Sequence, residues 1–386
     1  MMLRFFKGTL LLILLLTLFV FSAQANETIK IGTTLGLTGK YSKMATMNEK
    51  GFRLWAETLN QDKGLLGKQI ELIIYDDGSD QEKSQKLYKK LILEDKVDLL
   101  FGPYSSTISN AILPITEKYK YPLLLSGAAS DALWAKGYRY AFGVFIPASR
   151  YTVGFLEMAI LYGIRDIAIV HADDSFSTNI AEGAKDWSTK FGMEIKLMEA
   201  FKKGNRNLIP LAHKIKISKA SAVIVCGHFN ESVDMQRALK NIWTPKAYFA
   251  TVGPSLHSFQ EQLGKDADLA FSASQWETQA IYRPQDQNVF LKPFIQKYKV
   301  SPSYHAAVTF AAGQILQAAI KKTGSLDRKL IRDMLAKMDT MSIIGRYKVD
   351  KTGKQIRHFP ITIQRQKGKK EIVWPETLAT AKPIFR

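Results

Sequence analysis

Apolar positions along the chain follow two alternating patterns. Short apolar runs at 28–33, 70–75, 97–101 and 122–126 read as buried strands. Between them, apolar residues recur at helical spacing: Phe52, Trp55 and Leu59, then Leu87 and Leu91 within 81–94, then Ile108, Ile112, Ile115 and Tyr119. This alternation predicts a parallel sheet covered by helices and completes one α/β unit near Phe145. It restarts after Pro147. A helix through Tyr151, Phe155, Met158 and Tyr162 leads to strands at 166–171, 193–198, 222–226 and 248–251, with Ile180, Ala184, Trp187 and Phe191 on a further helix.

The pattern changes near 272–276. A loop at Pro284 and 285–288 precedes a long apolar helix, 306–320, and a second helix through Leu330, Met334 and Leu335. A short strand and turn at 345–354 and a hairpin, 359–364 with 371–374 around Lys367-Gly368-Lys369, complete the chain.

One junction is chemically suggestive. In Phe101-Gly102-Pro103-Tyr104-Ser105-Ser106 a strand breaks at Gly-Pro just before a helical pattern. A helix start exposes unpaired N–H groups and partial positive charge, which suits a small anion. The competing reading is that Ser105 or Ser106 only caps the helix.

Composition narrows the class. Residues 1–25 carry Arg4 and Lys7, an apolar stretch at 10–21 and Ala23-Gln24-Ala25, the pattern of a secretory signal peptide, so an exported, soluble, periplasmic protein is expected. The single cysteine, Cys226, allows no disulfide within the chain. The formal net charge of +19 raises the question of nucleic acid, but the basic pairs are scattered and not interleaved with aromatic residues. No nucleic-acid partner is expected.

Enzyme signatures are missing. Gly39-Lys40 lies in a glycine-rich loop, yet Thr34 and Tyr41 stand where a phosphate loop needs glycine and a hydroxyl residue. There is no Gly-x-Ser-x-Gly elbow, and His171, His213, His228, His257, His305 and His358 show no metal-ligand spacing. Asp76-Asp77 and Asp173-Asp174 read as solvated strand-end carboxylates. The expectation is a non-enzymatic protein without cofactor or metal.

The strand ends at 38–41, 104–107 and 127–130 in the first unit, and 173–177, 227–230 and 252–254 in the second, define the edges where open parallel sheets bind ligands. Together with Ile31-Gly32, Leu37-Thr38-Gly39, 60–67, Asp76-Asp77, Gln275-Trp276, Pro302-Ser303-Tyr304-His305-Ala306-Ala307 and 345–353, in this order and spacing, the chain resembles the type I periplasmic solute-binding proteins of ABC importers, of the leucine/isoleucine/valine-binding kind.

The resemblance implies a two-lobed periplasmic-binding-protein-like clamp, each lobe a mostly parallel α/β sheet flanked by helices, joined by a three-crossover hinge. The crossings are expected at 145–147, 273–275 and 343–347. Lobe I is then 26–145 plus 276–344, and lobe II 146–275 plus 345–386. Ser105 and the backbone around Tyr104 to Ser106 are implied to hold a ligand carboxylate, Ala128 and Ala129 to supply backbone groups, and Phe176 with His228 or Phe229 to close the far wall; Tyr41 and Trp276 are further candidates.

Three positions depart from branched-chain amino acid binders: Ala129 replaces a threonine, Phe176 a tyrosine, and Val252 stands near an acid that meets the ligand ammonium. Without a carboxylate from Asp173, Asp174 or Glu231, burying an ammonium is costly. The expected partners are a carboxylate-bearing small molecule and an inner-membrane ABC permease, the protein acting as a monomer. A sensor that presents its liganded form to a membrane receptor uses the same clamp.

Overall fold

The computed structural model describes residues 28–280 and 285–386. The expected signal peptide and Pro284 lie outside the described residues.

In the first part, β1 (Thr28–Leu35), α1 (Ser42–Gln61), β2 (Gln69–Asp76), α2 (Gln81–Leu93), β3 (Leu99–Phe101), α3 (Ser106–Lys118), β4 (Leu123–Leu125) and β5 (Ala141–Gly143) follow one another. The five strands form one parallel sheet in the order β2-β1-β3-β4-β5. The strands are short and apolar, and β3, β4 and β5 are buried throughout, as a sheet covered on both faces requires.

The second part runs α4 (Val153–Leu161), β6 (Asp166–Ala172), α5 (Ser175–Lys190), β7 (Glu194–Phe201), α6 (Ile209–Ser218), β8 (Ala222–Cys226), α7 (Phe229–Lys240), β9 (Ala247–Ala250), α8 (His257–Leu263) and β10 (Ala270–Ser274). Helices α9 (Lys292–Tyr298), α10 (Tyr304–Thr323) and α11 (Arg328–Lys337), then β11 (Thr340–Ser342), β12 (Gly345–Tyr347), β13 (Ile361–Gln366) and β14 (Lys369–Trp374), complete the described chain. The larger sheet has the order β14-β13-β10-β9-β8-β6-β7. It is parallel from β7 to β10, and β13 and β14 add an antiparallel edge.

Helix α10 returns to the first sheet and packs on α1. Thr309 Oγ1 donates to the Asn48 carbonyl at 2.9 Å, and a methyl group added at Gly51 would collide with the Ala306 carbonyl. The two helices therefore approach backbone to backbone.

Three strands escape the apolar pattern, among them the short β11. β5 is only three residues long, and β10 reads Ala-Phe-Ser-Ala-Ser, whose small polar residues are buried between β9 and β13. The third crossing also needs correcting. β12 pairs only with β11, Ile343 N–H donates to Gln314 of α10 at 2.9 Å, and Tyr347 Oη donates to the Leu335 carbonyl of α11 at 3.0 Å. Farther on, Gly143 N–H donates to the Gly353 carbonyl at 2.8 Å and Lys354 lies 3.4 Å from Asp131. The chain thus stays with the first sheet through Lys354 and joins the second only at β13, because the 345–354 segment is held by the edge strand β5.

Candidate functional site

The carboxyl ends of both sheets face one another. On the first side, Ser105 occupies the N-cap position of α3 with φ −133° and ψ −171°, but its side chain makes no capping bond. Its Oγ is buried and has no hydrogen-bond partner. The first N–H groups of α3 therefore stay open beside an unused hydroxyl. Ser106 is engaged differently, since its Oγ accepts from the Ala129 and Ser130 N–H groups, both at 3.1 Å, and fixes the loop after β4.

On the second side, α5 and α7 begin at the cleft. Asp174 caps α5, accepting from Phe176 N–H at 3.1 Å, Ser177 N–H at 3.2 Å and Ser177 Oγ at 2.9 Å. Lys203 Nζ lies 3.0 Å from the same carboxylate and His228 Nε2 3.9 Å. Burial opposes ionisation of Asp174, but His228 and Lys203 outweigh it and hold the carboxyl well below its ordinary value. Lys203 also reaches across to donate to Tyr41 Oη at 3.0 Å, and burial, which would lower its pKa, is overcome by Tyr41 and Asp174.

Aromatic rings close the gap between the sheets. Tyr41 meets Tyr104 edge-on at 5.3 Å and His228 at 5.2 Å, and Tyr104 Oη lies 3.5 Å from His228 Nδ1. Phe176 lies 5.0 Å from His228 and edge-on to Tyr151 at 5.5 Å. Lys43 of α1 sits over the Phe229 ring at 4.2 Å. Tyr104, Ser106, Gly127, Ala129, Phe145, Tyr151, Phe176, His228, Val252 and Tyr304 line a small cavity between the two sides, about 10 Å³ in volume.

Of the expected residues, Tyr104, Ser106, Ala129, Phe176 and His228 line this cavity; Tyr41 packs on Tyr104 and His228, and Ser105, between Tyr104 and Ser106 in the chain, is not a lining residue. Four expected residues are placed differently. Trp276 does not line the cavity; it packs edge-on against Phe290 at 5.4 Å in the core. Ala129 has no free N–H for a ligand carboxylate, since its N–H is bonded to Ser106 Oγ, and its carbonyl already accepts from Ala148 N–H at 2.7 Å. Ala128 packs its methyl group in the core behind β4, and Phe229 lies under Lys43 rather than on the cavity wall. Sequence reasoning missed Phe145, Tyr151 and Tyr304 as lining residues. Tyr151 was hidden because its helical spacing with Phe155 reads as core.

The three acids sought for an ammonium are all engaged. Asp173 Oδ1 accepts from Lys203 N–H at 2.7 Å, Glu231 Oε2 accepts from His228 N–H at 3.2 Å, and Asp174 is held as described. A fourth acid, Glu277, is buried and paired with Lys370 through Oε2 at 2.6 Å, while its Oε1 is buried without a hydrogen-bond partner. Among the described residues no group of three or more His, Cys, Asp or Glu is placed to hold a metal ion, and no helix is long and apolar enough to cross a membrane.

Two facing α/β sheets with a cleft at their carboxyl ends have the architecture of a two-lobed clamp. Residues 28–370 match the model of the periplasmic binding protein family, and the chain belongs to that family, as a type I member of the leucine/isoleucine/valine-binding group. It is 22% identical to a Leu/Ile/Val-binding protein homolog of Brucella melitensis, over 93% of this chain and 94% of the relative. It is also 22% identical to the leucine-, isoleucine-, valine-, threonine-, and alanine-binding protein of Pseudomonas aeruginosa, over 88% and 90%.

Among solved structures, the branched-chain amino acid transporter substrate-binding protein LivJ of Streptococcus pneumoniae, in complex with isoleucine, superposes with a TM-score of 0.81 at 23% identity, covering 90% of this chain and 100% of that one. An ABC transporter solute-binding protein of R. palustris in complex with benzoate superposes with a TM-score of 0.78 at 19% identity, covering 93% and 97%.

Proposed function

We propose that this protein, exported through a cleaved signal peptide, captures a small carboxylate without an α-amino group between two lobes and delivers it to an inner-membrane ABC permease. The lobes in this reading are 28–145 with 276–355, and 146–275 with 356–386. The ligand carboxylate docks at the open N-terminus of α3, where the unused Ser105 Oγ and the free N–H groups supply donors. In this reading the ligand's aromatic or aliphatic body lies among Tyr104, Phe145, Tyr151, Phe176 and Tyr304, in a cleft that must open wider than in this structure to admit it.

The observation that carries the choice is that the three acids expected to meet an ammonium, Asp173, Asp174 and Glu231, already accept hydrogen bonds or an ion pair from the protein. An ammonium at Asp174 would have to displace the partly buried Lys203 or the helix-cap donors that hold this carboxylate. The benzoate-bound relative shows that the shared fold accepts an acid without an amino group. Titration calorimetry over pairs of acids tests this: benzoate against phenylalanine, 4-methylpentanoate against leucine. Plain acids are expected to bind more tightly in each pair. Tight leucine or isoleucine binding with no response to plain acids would overturn the reading.

A further inference from the structure

A buried glutamine stands where the crossings meet. Gln275 follows β10 and is 1% exposed. Its Oε1 accepts from Ile146 N–H at 2.9 Å, on the segment that leaves β5. That bond fixes the amide, because a backbone N–H can only donate and must face the oxygen. Nε2 is thereby turned the other way, and it donates to Tyr151 Oη at 2.7 Å. The Gln275 carbonyl lies 2.7 Å from His358 Nε2, on the third segment that passes between the sheets.

The consequence falls on Tyr151. Its oxygen is occupied as an acceptor by an amide that cannot reverse, so its own hydrogen must point elsewhere. Among the described residues no acceptor is placed to receive it. Tyr151 is buried, lines the cavity, and presents its ring edge-on to Phe176.

We propose that Gln275 is a positioning residue that holds Tyr151 as an obligatory hydrogen-bond donor to an acceptor oxygen of the ligand, and so ties ligand contact to the segments joining the two sheets. The inference rests on the reading of a carboxylate ligand given above. It adds a donor from the second side of the cleft, opposite Ser105. It also makes the donor's direction a property of a residue that touches no ligand. An unpaired acceptor buried against Tyr151 is accommodated; a donor there would meet the O–H hydrogen and be rejected.

The test is a double-mutant cycle read by calorimetry with the tightest acid from the panel above. In Q275E the new side chain still accepts from Ile146 N–H, but its second oxygen accepts the Tyr151 hydrogen and reverses the hydroxyl. Q275E and Y151F are each expected to weaken binding about tenfold, a typical cost for one buried donor to a charged acceptor, and Q275E is expected to cost under about twofold in the Y151F background. Q275M, which removes the amide without adding charge, replaces Q275E in the cycle if Q275E does not fold. Equal losses in both backgrounds mean that Gln275 is merely structural and overturn the proposal while leaving the carboxylate reading intact. If Y151F abolishes binding, the glutamine variant alone decides, and wild-type affinity in it overturns the proposal. Failure of the wild type to bind any acid of the panel overturns both readings together.

Discussion

Ser105 shows how a single side chain separates folding from binding. A serine that caps a helix stabilises the fold, whereas this hydroxyl is buried without a partner and makes no cap. Ser105→Ala should therefore leave the melting temperature of the ligand-free protein unchanged and weaken carboxylate binding by about 1–3 kcal/mol. A lower melting temperature with unchanged affinity would mean that the hydroxyl serves the fold. The position was legible because Gly-Pro followed by two hydroxyls marks a helix start, but which serine does what was not. Ser106 staples two amides of the neighbouring loop, and that role depends on a contact between β3 and β4 ends that no local spacing encodes. Tyr151 and Lys203 were illegible for the same reason. Each acts through a partner more than twenty residues away, Gln275 for one, Asp174 and Tyr41 for the other.

At the level of elements, the alternation of apolar runs and helical spacing carried most of the fold, because buried parallel strands and amphipathic helices imprint their own periods. Strand β10 left no imprint, since its burial comes from neighbours on both sides rather than from apolar side chains. The contact between α1 and α10 is likewise silent in sequence, although Gly51 on one helix and Ala306 on the other make it possible. Gly51→Ala is expected to force the helices apart and lower unfolding free energy by about 1–3 kcal/mol, as overpacked cores do. Chemical denaturation checks the size, and calorimetry on the folded fraction should show little change in ligand affinity, because neither helix residue lines the cavity. An undiminished denaturation midpoint would show that the two helices tolerate a wider spacing.

For the whole molecule, three buried groups set how stability responds to pH. Burial, helped by His228 and Lys370, pushes His305 down to about 3, and burial pushes His358 down to about 4 against its carbonyl contacts. Burial also pushes Asp77 up to about 6, against its bonds to Thr34 and Ser79. Unfolding restores ordinary values, near 6.5 for imidazole and near 4 for aspartate. As pH falls below about 6.5, the unfolded chain takes up a proton at each histidine that the native fold refuses, so stability is lost on acidification. Asp77 acts in the opposite sense: between about pH 6 and 4 the native fold holds a proton that the unfolded chain lacks, which favours folding. The net difference at pH 5 is about one proton, a slope of about 1.4 kcal/mol per pH unit, which fades through about pH 6.5 to a plateau above about pH 7.5. Asp77→Asn keeps a neutral acceptor for Thr34 but removes the opposing titration. Urea denaturation at a series of pH values should then show a steeper acid slope in the variant, approaching two protons near pH 5. A slope that is unchanged or shallower would mean that Asp77 stays ionised in the native fold and that its bonds from Thr34 and Ser79 outweigh its burial.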